Sequence, residues 1–193
     1  MATFTSGHDV EEKSGDSSVV LDHDNGDMRI FYMGYFDAGS VGIVNNELRF
    51  TSVTIPKNAT ILSATLSLTK YMTGDATNVR IRGRLGADPA LAPTWATRWS
   101  ASGSNTTAYV DWSPANGGGG TVATSPSLVS VIQELVNQSV WASGQYLGLL
   151  ILYNNDTSTN RLQFVRGSLS ANPPYLDITY AVGGAKFSAV FFM

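Results

Sequence analysis

Residues able to do chemistry are few in this chain and widely spaced. It has two histidines, His8 and His23, both in a polar N-terminal region where no serine stands in a nucleophile elbow. There is no cysteine, which excludes thiol catalysis and cysteine-based zinc sites. Beyond residue 50 the acids are Asp75, Asp88, Asp111, Glu134, Asp156 and Asp177. Glycoside hydrolysis needs two carboxylates facing each other across a cleft, and the spacing of these acids selects no pair. Asp22, Asp24 and Asp27, in DHDNGD, offer hard oxygen ligands. An EF-hand loop, however, needs ligands at positions 1, 3 and 5 and glycine at 6, and counting from Asp22 the fifth residue is Gly26. The segment therefore reads as a hairpin tip around Asn25-Gly26.

The other candidates bind rather than react. Trp95, Trp99, Tyr109 and Trp112 lie in or beside expected loops and could form an aromatic platform for a sugar. The plainer expectation is that they plug one end of the core, because exposed tryptophans are uncommon. Arg80, Arg82 and Arg84 alternate, which puts them on one face of a strand; a solvated face is expected there rather than an anion site. These residues call for no enzyme and no cofactor. A structural calcium held by loop carboxylates and carbonyls would be compatible, with no ligands assignable.

The elements that must position these residues are mostly strands. Leu48 to Leu68, LRFTSVTIPKNATILSATLSL, reads as strand, turn, strand. Leu48 and Phe50 share one parity while Val53 and Ile55 take the other, which predicts a bulge between Phe50 and Val53. Pro56-Lys57-Asn58 is a turn. Leu62, Ala64, Leu66 and Leu68 then alternate with Ser63, Thr65, Ser67 and Thr69, the pattern of a half-buried strand. Further strands are expected at Ser18–Leu21, Met28–Met33, Asn78–Gly86 with a bulge at Gly83, Tyr109–Trp112, Arg161–Arg166 and Tyr175–Tyr180. Tyr146–Tyr153 is nearly continuous in apolar residues and suits a central strand buried on both faces. Residues 34–46 and 87–107 read as loops, and Gly117–Gly120 as a flexible one. One helix is expected at about 126–137, where Leu128, Val131, Ile132, Leu135 and Val136 fall at helical spacing behind Ser125 as N-cap and Pro126 at the first position. The fold class is all-β, an antiparallel sandwich or jelly roll with one short α-helix.

Length and composition narrow the classes. The 193 residues suit a single domain over 1–182, with an acidic stretch at about 1–17 read as an arm or irregular first strand. An apolar tail over 183–193 follows it. Hydrophobic residues make up 43% and charged residues only 14%, with a net charge of −3. That balance excludes a disordered chain and argues against a nucleic-acid binder, which needs a basic stripe to displace counterions. No run is long enough to span a membrane, and the N-terminus lacks the basic and apolar regions of a signal peptide. Without such a signal the sequons at Asn58, Asn105, Asn137 and Asn155 read as products of a Ser/Thr-rich composition. The tail, with Phe187, Val190, Phe191, Phe192 and Met193, would be an aggregation hazard if left in water, so it is expected to bury against its own sheet or a neighbouring subunit.

Three separated motifs give the chain a resemblance. LRFTSVTIPKNATILSATLSL is similar to the "LRF-x-x-V-x-IP-x-x-A-x-I-x-x-A-x-L" core of DNRLRE-type jelly-roll domains. The helix SLVSVIQELVNQSVWASG with the closing ANPPYLDITY resembles that family's late segment, and HDVEE its acidic start. The resemblance covers about residues 8–180 and implies a fold similar to carbohydrate-binding modules, of a kind found on cell surfaces and in phage particles.

Two functions follow as expectations. The first is a structural virion protein made in the host cytoplasm, a phage capsid decoration or cement protein. It would be a homo-oligomer, with a trimer favoured, binding a major capsid or other virion protein through its tail. The alternative is an extracellular or cell-surface carbohydrate-binding module, part of a cell-surface or polysaccharide-degrading system, binding surface glycans through the aromatic platform.

Overall fold

The computed structural model describes residues 2–13, 20–22, 30–35, 43–73, 77–86, 105–115, 117–154, 161–165, 172–183 and 185–187. The strands are β1 (Ala2–Lys13), β2 (Val20–Asp22), β3 (Ile30–Tyr35), β4 (Ile43–Val53), β5 (Thr60–Thr69), β6 (Val79–Arg84), β7 (Asn105–Trp112), β8 (Val122–Thr124), β9 (Gln145–Tyr153), β10 (Arg161–Val165), β11 (Tyr175–Val182) and β12 (Ala185–Phe187). One helix, α1 (Val129–Val136), stands among the described residues. The strands pair antiparallel in two sheets. Sheet I runs β1-β11-β5-β8, with β12 added on β11; sheet II runs β7-β6-β9-β4-β1-β2, with β3 pairing the start of β4 and β10 pairing β3. The chain is an antiparallel β-sandwich, as its alternation predicts.

β1 joins the two sheets. Ala2–Thr5 pair with β11 in sheet I, and Ser6–Lys13 pair with β4 in sheet II, with a register shift between Ser6 and His8. A strand that changes sheet needs such an irregularity at its corner. The stretch expected as an arm or irregular first strand thus takes the second form over residues 2–13. The Asn25-Gly26 hairpin is corrected: β2 pairs with β1, while β3 pairs with β4 and β10, so the strands flanking Asn-Gly serve different partners. Residues 23–29 themselves lie outside the described set.

The core is laid down by Leu48, Phe50, Val53 and Ile55, all fully buried. The predicted bulge exists: the β4–β9 register slips between Phe50 and Val53, and Ser52 takes a left-handed φ of 54°. Ala64, Leu66 and Leu68 face inward as expected, but Leu62 does not. It is 46% exposed, and Ile61 takes the inner place. Ser63 stands opposite Thr179 and Ile61 opposite Tyr180, so Leu62 is an extra, bulged residue that period-two alternation could not reveal. Leu147, Leu149 and Ile151 complete the core from β9, which lies between β6 and β4.

α1 closes one open side of the sandwich, packing on β5 of sheet I and on β6 and β7 of sheet II. Its apolar stripe is the expected one: Leu128, Val131, Ile132, Leu135 and Val136 are all buried. Its start is not. Ser125 Oγ accepts from Leu66 N (3.0 Å) and donates to Pro126 O (2.8 Å), extending the β5–β8 pairing instead of capping the helix, which begins three residues later behind Leu128. The polar face of α1 and the residues after it grip backbone from both sheets. Gln133 Oε1 accepts from Ile61 N and its Nε2 donates to Ala59 O, both at 2.9 Å. Glu134 accepts from Thr107 N and Ala108 N, both at 2.8 Å. Gln138 Oε1 accepts from Gly86 N at 2.8 Å, and Trp141 Nε1 donates to Ile55 O at 3.0 Å.

The glycine run at 117–120 is an ordered clasp in its backbone bonding, not the flexible loop expected. Gly120 N donates to Lys70 O (2.7 Å), Lys70 N to Thr121 O (2.9 Å) and Thr121 N to Gly118 O (3.2 Å). A Cβ on Gly119 would sit 2.5 Å from the Tyr71 carbonyl oxygen, so only glycine lets the loop approach this closely. Inside the clasp Lys70 is 1% exposed, and its Nζ donates to the Ala115 carbonyl. Burial lowers the Lys70 pKa from its ordinary 10.5. Between the folded-state pKa and 10.5 the unfolded chain binds more protons, so Lys70 makes the fold more stable as pH rises through that window; below it the cost of the buried charge is constant. Urea unfolding from pH 7 to 10.5 should therefore show the native chain gaining on Lys70→Met as pH rises. A pH-independent difference between the two would contradict this account.

Candidate functional site

The outer face of sheet II collects the polar chemistry of the described residues. Alternation in β6 sends Val79 and Ile81 into the core and Arg80 and Arg82 outward. In β7 it sends Trp112 inward and leaves Tyr109 and Asp111 exposed. The register sets Arg82 opposite Tyr109 and Arg80 opposite Asp111. Arg80 meets Asp111 with two prongs, Nε to Oδ1 at 2.7 Å and Nη2 to Oδ2 at 3.0 Å. These bonds hold the Asp111 carboxyl below its ordinary range and raise Arg80. Both groups are open to solvent, so the pair fixes geometry more than it stabilises the fold. The Arg80 guanidinium lies 3.9 Å from the centre of the Tyr109 ring and that of Arg82 5.0 Å, within cation–π range. Arg82 Nη1 donates to Thr106 O at 2.6 Å.

The same face continues under cover across β9 and β4. Arg84, Glu47, Arg49 and Asn45 are all buried there. Gly148 makes room for two of them: a Cβ on it would meet Arg84 Cβ at 2.8 Å and Glu47 Oε1 at 3.3 Å. The Arg49 guanidinium lies 4.2 Å from the centre of the Tyr146 ring, and Asn45 Oδ1 accepts from Tyr153 N at 2.8 Å. The register of β1 places His8, Val10 and Glu12 opposite Arg49, Glu47 and Asn45. Arginines interleaved with two carboxylates and two tyrosines suit recognition of polar or charged groups.

A second, apolar surface lies at the edge of sheet I. β8 pairs with β5 alone among the described residues. Val122, opposite Thr69, is 48% exposed, and Tyr71 and Met72 are exposed just beyond Thr69.

The candidate binding residues separate. Tyr109 is 47% exposed and stands on the arginine face. Trp112 is corrected: three residues on, it has the opposite parity, is 5% exposed and belongs to the core. Trp95 and Trp99 lie outside the described residues. Arg80 and Arg82 form the outer face as expected, whereas Arg84 is buried beside Gly148. Within the tail, the backbone of Phe187 pairs opposite Tyr180 on the chain's own sheet; Val190, Phe191, Phe192 and Met193 lie outside the described residues. Glu47 and Arg49 went unnoticed because they alternate with Leu48 and Phe50, and the stretch was legible only as a strand. The signal that could have found them is Gly148, a gap in an otherwise large apolar run. Among the described residues no group of three or more His, Cys, Asp or Glu is placed to hold a metal ion.

No protein-family model matches the chain, and a search of curated proteins found no match.

Proposed function

We propose that this chain is a non-catalytic structural protein of a particle surface, a phage capsid decoration protein or its functional equivalent, working by subunit contact. The supporting observation is the apolar edge of sheet I, where Val122, Tyr71 and Met72 stand exposed beside β8, a strand paired on one side only among the described residues. Exposed apolar groups around an open strand edge favour association, since pairing removes both the apolar area and the unpaired backbone from water. The apolar residues 188–193 add to this reading. The test is co-sedimentation with particles and light scattering of the purified protein. A trimer that binds particles is expected. Val122→Lys with Met72→Lys should abolish binding, and removal of residues 188–193, which leaves β12 in place, should weaken it. Undiminished assembly by both variants would sink the reading.

One observation favours a second reading, a carbohydrate-binding module: Tyr109 is exposed between Arg80 and Arg82, with Asp111 beside it. Sugar rings stack on aromatic faces while their hydroxyls bond to such polar neighbours. Affinity electrophoresis in glycan-containing gels, with Tyr109→Ala as control, separates the two readings.

A further inference from the structure

The open side of β8 carries a row of backbone groups. Lys70 N donates to Thr121 O and Ser125 N to Leu66 O, which turns the backbone of Thr121 and Ser125 toward β5. Alternation then points the N–H and C=O of Val122 and Thr124 to the other side, where no strand pairs among the described residues. The side chains of Val122, Tyr71 and Met72 stand exposed around them. Such a row is a template for an added strand.

The chain carries a segment suited to that place. β12 pairs with β11 as far as Phe187 opposite Tyr180, on the side away from β5. In that register residue 189 would stand opposite Ile178, but Ala2 of β1 already stands there. β11 therefore offers no pairing to Ala189-Val190-Phe191-Phe192-Met193, a run that is apolar throughout, uncharged and rich in strand-favouring residues. The β8 of the same copy is out of reach. Tyr180 stands opposite Ile61 on β5, whereas the pairing with β8 starts at Ser67, about 20 Å further along the sheet. A strand added to β8 also lies four strand spacings, about 19 Å, across the sheet from β12. The six steps from Phe187 to Met193 span at most about 22 Å, too few to cover both distances.

We propose that residues 188–193 of one copy add as a strand to the open side of β8 of the next copy. This rests on the reading of the chain as an assembling surface protein, and it names what covers the apolar edge. Each copy gives a tail and receives one, a heterologous contact that can close into a ring such as a trimer. Backbone bonds to Val122 and Thr124 set the register, and the apolar side chains of the tail cover Val122, Tyr71 and Met72.

Two variants of the chain test this by sedimentation velocity. Val122→Pro removes an outward N–H, a change that an edge strand tolerates where that side is open. The other variant ends at Phe187. The native protein should form oligomers, and each variant alone should stay monomeric. An equimolar mixture should form a one-to-one pair and nothing larger, because one variant supplies only a tail and the other only an edge. Pair formation also excludes misfolding as the reason for the single failures. Amide exchange gives a reading that does not depend on the proline: Val122 and Thr124 should be protected in the native oligomer and lose that protection in the chain ending at Phe187. Unchanged protection there would overturn the inference, and so would a mixture of two natively folded variants that stays apart. A chain ending at Phe187 that still forms oligomers would overturn it while leaving assembly of β8 against β8 standing. A native chain that neither self-associates nor binds particles would overturn both this inference and the reading beneath it.

Discussion

Gly83→Ala should destabilise the native chain by about 1–3 kcal/mol, the usual cost of forcing extra volume into a packed core. In a chain that also carries Leu135→Ala, it should cost almost nothing. Both effects come from one contact. A Cβ on Gly83 would lie 2.7 Å from Leu135 Cδ1, 2.8 Å from Cγ and 2.9 Å from Cδ2, and no other heavy atom comes closer. Alanine at 135 lacks all three of those atoms. Leu135→Ala alone should cost about 2–5 kcal/mol, because Leu135 is fully buried and its removal leaves a cavity between α1 and β6. The double variant should therefore be more stable than the sum of the single effects by roughly the whole Gly83→Ala cost, a coupling well above the 0.3–0.5 kcal/mol scatter typical of independent sites. Chemical denaturation of the four proteins measures it. Additive effects would mean that α1 does not press on β6 as described.

This contact also shows where sequence reasoning reaches its limit. Gly83 reads as an interruption in a strand, and the register does slip between Arg82 and Arg84. The reason for the glycine lies across the core, in a helix some fifty residues away, and no local pattern encodes it. Alternation was legible wherever one parity alone decides burial. Leu48, Phe50, Val53 and Ile55 could be placed, together with the bulge among them, and so could the helical stripe from Leu128 to Val136. It failed at Leu62, where a bulge on β5 is set by pairing with β11 and leaves no mark in the apolar spacing. Ser125 failed for a related reason. Its hydroxyl had two possible backbone partners, the start of a helix or the β5 amide, and the tertiary partner won.

The candidate site was less legible than the fold. Tyr109 and Trp112 look alike in a sequence as aromatic residues near a loop, yet three positions of separation in a strand put them on opposite faces. The buried half of the arginine face depends on β4, β9 and β6 lying side by side, an order of strands that no short motif specifies.

Glu134→Ala should cost about 2–3 kcal/mol, a large effect for a half-buried polar side chain. Each oxygen of the carboxylate accepts one backbone N–H, Oε1 from Thr107 and Oε2 from Ala108, both at 2.8 Å. Hydrogen bonds to charged groups contribute about 1.5–3 kcal/mol each, and the partial exposure of this pair brings their combined value toward the lower end. The two amides belong to β7, the outermost strand of sheet II among the described residues, where the pairing with β6 slips and leaves donors without cross-strand acceptors. Glu134 thus supplies acceptors that the slipped pairing with β6 does not, and it fastens α1 to sheet II as Gln133 fastens it to sheet I. Glu134→Gln keeps one acceptor oxygen and replaces the other with a donor that faces an amide, so it should recover less than half of the loss. Amide exchange should localise the effect: Thr107 and Ala108 should lose protection in Glu134→Ala, while Leu149 and Ile151 in central β9 follow only the change in global stability. Unchanged protection at Thr107 and Ala108 would show that the carboxylate does not hold this strand.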